Sequence, residues 1–68
     1  MFFGTVHHNT IEYPPLVALD ADTLTKAKRR ATAYFGNVHP DNDAVIVILQ
    51  NGEPISKRRA AGGKWKDL

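Results

Sequence analysis

Apolar and polar positions along the chain follow a two-residue period, then a helical period, then the two-residue period again. Phe2, Gly4 and Val6 fall on one side of an extended segment and Phe3, Thr5 and His7 on the other, which predicts a strand over residues 2–8. Gly4 weakens that strand and marks a bulge or a close backbone approach. Asn9 and Thr10 offer a turn, residues 11–13 extend either neighbouring strand, and Pro14-Pro15 lacks N–H donors, as suits an edge or a loop. Residues 16–19 read as a short second strand, antiparallel to the first.

The period then changes. Leu24, Ala27, Ala31, Tyr34 and Phe35 stand at helical spacing and form one apolar stripe for packing on a sheet. Asp22 is the expected N-cap, with Asp20 as the alternative, because a carboxylate there accepts free N–H groups of the first turn. Gly36 or Asn37 ends the helix, and residues 39–43 form a polar loop. Lys26 and Arg29 project away from the stripe, while Lys28 and Arg30 flank it.

Residues 44–49 are apolar without interruption and rich in β-branched side chains, and Asn51-Gly52 follows them. That pair is a strong signal for a type I′ hairpin turn, which needs positive φ at both central residues. Residues 55–59 return as a strand ending in Lys57, Arg58 and Arg59. Counting back from a two-residue turn sets Ile48 opposite Ile55 and Ile46 opposite Lys57. Ile46, Ile48 and Ile55 then belong to the core, Lys57 and Arg59 share that side, and Arg58 takes the other with Val45, Val47 and Leu49. The glycines at 62 and 63 make a turn, and residues 64–66 add a short last strand. The expected fold is α+β: one helix on a small antiparallel sheet of four to five strands, ordered β-β-α-β-β(-β), in a single domain over residues 1–68.

Composition narrows the function classes. The chain of 68 residues has no cysteine, which excludes disulfide scaffolds and Cys-based zinc sites. Its apolar start is too short for a signal peptide and no apolar run reaches membrane-spanning length, so a cytoplasmic protein is expected. Adjacent His7 and His8 point to opposite faces of a strand, and with His39 they make no metal-ligand pattern. Asp41, Asn42 and Asp43 lack the alternation of a calcium loop. Ser56 is the sole serine and stands beside bases rather than in a triad, and no glycine-rich loop precedes the helix. Neither an enzyme nor a cofactor is expected.

Charge placement says more than net charge, which is only +2. Every base lies in one of two groups: Lys26, Lys28, Arg29 and Arg30, then Lys57, Arg58, Arg59, Lys64 and Lys66. Such segregation either keeps a small protein solvated or forms a face for an anionic partner. The candidate binding residues are Lys26, Lys28, Arg29, Arg30, Lys57, Arg58, Arg59 and Lys64. Trp65, between two lysines, either stacks on a partner or pins the last strand to the core.

The succession V-A-L-D-A-D-T-L-T-K-A-K-R-R-A (17–31), an aromatic helix end, V-I-V-I-L-Q-N-G (45–52), I-S-K-R-R (55–59) and G-K-W-K-D (63–67) resembles small phage and mobile-element proteins. Among these it is most similar to the short type I-F anti-CRISPR inhibitors, over about residues 16–67. The resemblance implies a non-enzymatic inhibitor that docks on backbone subunits of a crRNA-guided surveillance complex and blocks target DNA hybridisation. It also implies non-specific binding of double-stranded DNA through basic residues. Two other readings stand beside it: a small nucleic-acid-binding module, and an interaction protein that dimerises through the valine face or a strand edge. A monomer or weak homodimer is expected.

Overall fold

The computed structural model describes residues 1–8, 11–35 and 44–68, and the side chains of all of these except residues 8 and 11–15. Its elements are β1 (Phe2–His8), β2 (Ile11–Leu19), α1 (Leu24–Phe35), β3 (Val45–Gln50), β4 (Glu53–Arg59) and β5 (Lys66–Asp67). The strands form one antiparallel sheet in the order β2-β1-β3-β4-β5, with α1 packed across one face. The expected α+β architecture is therefore the observed one. No helix among the described residues is long and apolar enough to cross a membrane. The Asn9-Thr10 turn, the helix end at Gly36 or Asn37, His39 and the loop over 39–43 lie outside the described residues.

The core is one cluster between α1 and the sheet. Ala27, Ala31 and Phe35 come from the helix, Phe2 and Val6 from β1, Leu19 from β2, and Ile46 and Ile48 from β3. Small residues at 27 and 31 bring the helix close, and Phe35 then fills the space above β1. Its ring reaches the sheet only because residue 4 lacks a side chain: a Cβ there would lie 2.9 Å from Phe35 Cε2 and 3.4 Å from Leu19 Cδ1. Gly4 thus marks a close approach. On its other flank Gly4 pairs with Val17 but Val6 with Tyr13, so β2 carries extra residues opposite Thr5. An edge strand tolerates Pro14-Pro15 at such an irregularity, because its outer N–H groups have no ladder to complete.

Two helix expectations change. Leu24 is the first helical residue and Thr23, not Asp22, is the cap, its Oγ1 accepting from the Lys26 N–H at 3.2 Å. Asp22 instead pairs with Lys26 Nζ at 3.1 Å. A threonine one residue nearer the helix reaches the first-turn amides more directly than the aspartate before it. Tyr34 leaves the expected stripe and is 51% exposed. With Ala31 and Phe35 filling the helix–sheet gap, position 34 rolls outward past the edge of the contact.

The hairpin shows the largest departure. Asn51 and Gly52 have φ of 54° and 81°, as a type I′ turn requires. Gln50 pairs with Glu53 and Leu49 with Pro54, but then the register slips: Ile48 pairs with Ser56 and Ile46 with Arg58. Ile55 is the extra residue of a β-bulge. The bulge follows Pro54 directly, and prolines within sheets are found mainly at edges, strand starts and bulges. Ile55 still packs against the core. Beyond it the expected sides are exchanged: Ser56 and Arg58 turn to the helix, and Lys57 and Arg59 turn away from it.

Gly4→Ala is expected to force Phe35 or the backbone to move, at a cost of about 1–3 kcal/mol. Thermal unfolding checks this, with a fall in Tm of roughly 4–8 °C for each kcal/mol in a domain of this size.

Candidate anion-binding surface

The bases divide into those held by the fold and those left free. Lys28, whose side chain is 24% exposed, sends Nζ to Asp67 Oδ1 at 3.0 Å. The same carboxylate oxygen accepts the Ser56 hydroxyl at 2.8 Å, and Ser56 is fully buried. Arg58 donates from one guanidinium nitrogen to Thr32 Oγ1 at 2.9 Å, and from Nε to the Arg59 carbonyl at 3.2 Å. Thr32 in turn donates to the Lys28 carbonyl at 2.9 Å. The Arg58 guanidinium also lies 5.9 Å from the centre of the Trp65 ring, and Trp65 packs against the core. Lys28 and Arg58, both candidate binding residues, therefore tie α1 to β4 and β5.

The remaining candidates fall on two surfaces. Arg29 and Arg30 are exposed on the outside of α1, beside Lys26, along a groove of about 720 Å³ that Asp20 and Asp22 also line. Opposite charges alternate there, and Lys26 is already paired. Lys57, Arg59 and Lys64 are exposed at the other end of the sheet with Lys66, around a groove of about 280 Å³ lined by Val45. Among the described residues no acidic side chain lines that second groove, and none of its four exposed bases makes an ion pair.

The decisive geometry is the register of β4 and β5. Lys57 stands directly opposite Lys66, so the sheet sets two ammonium groups side by side on its open face. Like charges at directly opposed positions are destabilising. Here Arg59 and Lys64 add to the repulsion instead of relieving it. Next to these bases run Val45, Val47 and Leu49 on β3, all half-buried, with the half-buried Phe3 of β1 opposite Leu49 and the buried Thr5 opposite Val47. The open face therefore presents an apolar strip bordered along one side by positive charge. Lys66 was not among the candidates, because its alignment with Lys57 depends on the bulge at Ile55 and on the turn at Gly62 and Gly63. Only the expected last strand over 64–66 hinted at it.

No protein-family model matches the chain, and no curated protein or solved structure shows detectable similarity to it. Among the described residues no group of three or more His, Asp or Glu side chains is placed to hold a metal ion.

Two outcomes test this division. Lys66→Glu replaces a like pair with an opposite pair, so it is expected to stabilise the fold by about 0.2–1 kcal/mol at low salt while weakening binding to heparin. Denaturant unfolding and heparin-column retention, moving in opposite senses, check both effects. Lys28 and Ser56 hold the Asp67 carboxyl below its ordinary value of 3.8. A depressed carboxylate pKa contributes stability that is complete above the unfolded value and is lost as pH falls through the folded one. The stability difference between the natural chain and Asp67→Asn is therefore expected to persist near neutral pH and to vanish in acid below that value, as read by Tm against pH.

Proposed function

We propose that the chain is a non-enzymatic binding protein of the phage inhibitor type. It docks through the basic β4–β5 end of its open sheet face on a type I CRISPR surveillance complex and blocks hybridisation of target DNA. The observation that carries this reading is the unrelieved charge of Lys57 and Lys66 with Arg59 and Lys64 beside them. A surface that sacrifices folding stability for positive charge is suited to a strongly anionic partner site, and the resemblance to short type I-F anti-CRISPR inhibitors supplies the class of target. In this reading the host cytoplasm is the setting, and the apolar strip of Val45, Val47 and Leu49 gives the interface a dry centre behind its charged rim.

A second reading is favoured by the same four unpaired bases, Lys57, Arg59, Lys64 and Lys66: a stand-alone nucleic-acid-binding module that lays them on the phosphate backbone. Neutralising four duplex phosphates predicts a slope of about −3.6 for log affinity against log salt. A lone phenylalanine on the sheet is a poor platform for reading RNA sequence, so any such binding is expected to be non-specific.

Pull-down against purified type I surveillance complexes, with and without short duplex DNA, separates the two. The inhibitor reading expects co-elution with at least one complex and loss of that binding in Lys57→Glu/Arg59→Glu, with the fold intact. Arg58→Glu is expected to act differently. It breaks the contact with Thr32, so a loss of stability of about 1.5–3 kcal/mol should accompany any loss of binding. Failure to bind any complex at about micromolar concentration rejects the inhibitor reading. A mobility shift on duplex DNA alone, with the salt slope above, supports the second.

A further inference from the structure

We propose that the outer edge of β2 is a docking site for an extended acidic peptide of a partner protein, which adds to the sheet as a strand beside residues 16–19. This surface is at the opposite edge of the sheet from β5, so it is separate from the basic groove and does not rest on the function proposed for it.

β2 ends the sheet, and among the described residues no segment pairs with its outer side. An unpaired edge is a template for another strand, and natural edges are blunted by charge, proline or bulges. Pro14, Pro15 and the irregularity that runs through Leu16 blunt the first part of β2, but Val17, Ala18 and Leu19 carry none of these protections. Away from the chain ends, the large apolar side chains left exposed among the described residues are Leu16 at 48% and Tyr34 at 51%. Leu16 lies on this edge strand, and Tyr34 borders it from the helix.

The helix supplies the second wall. A groove of about 330 Å³ runs between β2 at Val17, Ala18 and Leu19 and the α1 residues Arg30, Ala33 and Tyr34. The Tyr34 ring stands edge-on to Phe35, with centroids 4.8 Å apart and planes at 69°. Because Phe35 is fully buried, Tyr34 is exposed but anchored, and a partner that packs on it does not have to order it first. Strand addition in this position uses main-chain hydrogen bonds for affinity and alternate side chains for specificity.

Charge selects the peptide. Arg30 lines the groove with Arg29 beside it on α1, and neither makes an ion pair with a described residue. Asp20 closes the far end and repels acid from there. The occupant therefore carries a carboxylate for Arg30 and, two residues away on the same side of its strand, an apolar side chain for Tyr34 and Ala33.

The test uses the full chain and a fluorescein-labelled octapeptide of the repeat Val-Ser-Glu-Ser, which sets valine and glutamate two residues apart on one side of the strand, with a counterpart in which lysine replaces glutamate. The expected result is saturable binding of the acidic peptide, weakened about tenfold or more by Tyr34→Ala and by Arg30→Glu. Binding should survive Lys57→Glu/Arg59→Glu, and hydrogen exchange should slow at backbone amides within residues 16–19 when peptide is bound. Both single variants alter exposed side chains, so unchanged thermal unfolding shows that any loss is local. Equal binding of the lysine peptide, or loss through Lys57→Glu/Arg59→Glu instead, overturns the proposal. So does concentration-dependent dimerisation that protects the same amides without peptide, which assigns the edge to a second copy of the chain.

Discussion

One extra residue in β4, the bulged Ile55, sets the sidedness of the basic end of this protein. The ladder leaves the Asn51-Gly52 turn in ordinary register, holds through the pair of Leu49 and Pro54, and shifts by one residue with Ile55 bulged. Side chains alternate along a strand, so a slip of one residue exchanges the faces of everything beyond it. Ser56 and Arg58 are thereby delivered to the helix, and Lys57 and Arg59 to the open face. Without the bulge, Lys57 and Arg59 would lie toward α1, and Arg58 would stand free.

The exchange also supplies the helix with partners it could not otherwise reach. α1 lies over β2, β1 and β3, which leaves β4 and β5 to be joined by long side chains. Lys28 reaches Asp67, Ser56 joins the same carboxylate, and Arg58 reaches Thr32. These contacts act together on one short segment, whereas the repulsion between Lys57 and Lys66 is at most about 1 kcal/mol. The short β5 strand can therefore hold its lysine against another lysine. Its anchorage comes from the other face of the sheet, where Asp67 and the half-buried Trp65 are engaged.

Much of this was legible in the residues, and the exceptions share a cause. The strands, the helix, the hairpin turn and the core role of Ile46 and Ile48 follow from periodicity and turn chemistry, which are local. The close approach at Gly4 was readable as one of two possibilities, and the ring of Phe35 shows which. The face of each base beyond Pro54 was not legible, because it depends on whether β4 takes up an extra residue after the turn, and the alternation of residues 55–59 does not reveal one. The roles of Lys28 and Arg58 were hidden for a related reason: a base that reaches across to another element looks, in sequence, like a solvated one. Thr23 in place of Asp22 is a smaller instance, since competing caps one residue apart differ only in the path of the preceding chain.

What remains after the fold has claimed its charges is more informative than the clusters themselves. Nine bases in two runs suggest one broad positive face. Removing Lys28 and Arg58, which bind the fold together, and Lys26, which pairs with Asp22, leaves two small sets on opposite sides of the sheet. One set, on the helix, is mixed with aspartates and bordered by Tyr34 and an open strand edge, features that select a shaped and partly apolar partner. The other has no acid in its groove and sets lysine against lysine, an arrangement whose repulsion an anion would relieve. Two surfaces of such different chemistry stand on separate parts of the fold, and a mutation in either leaves the other in place.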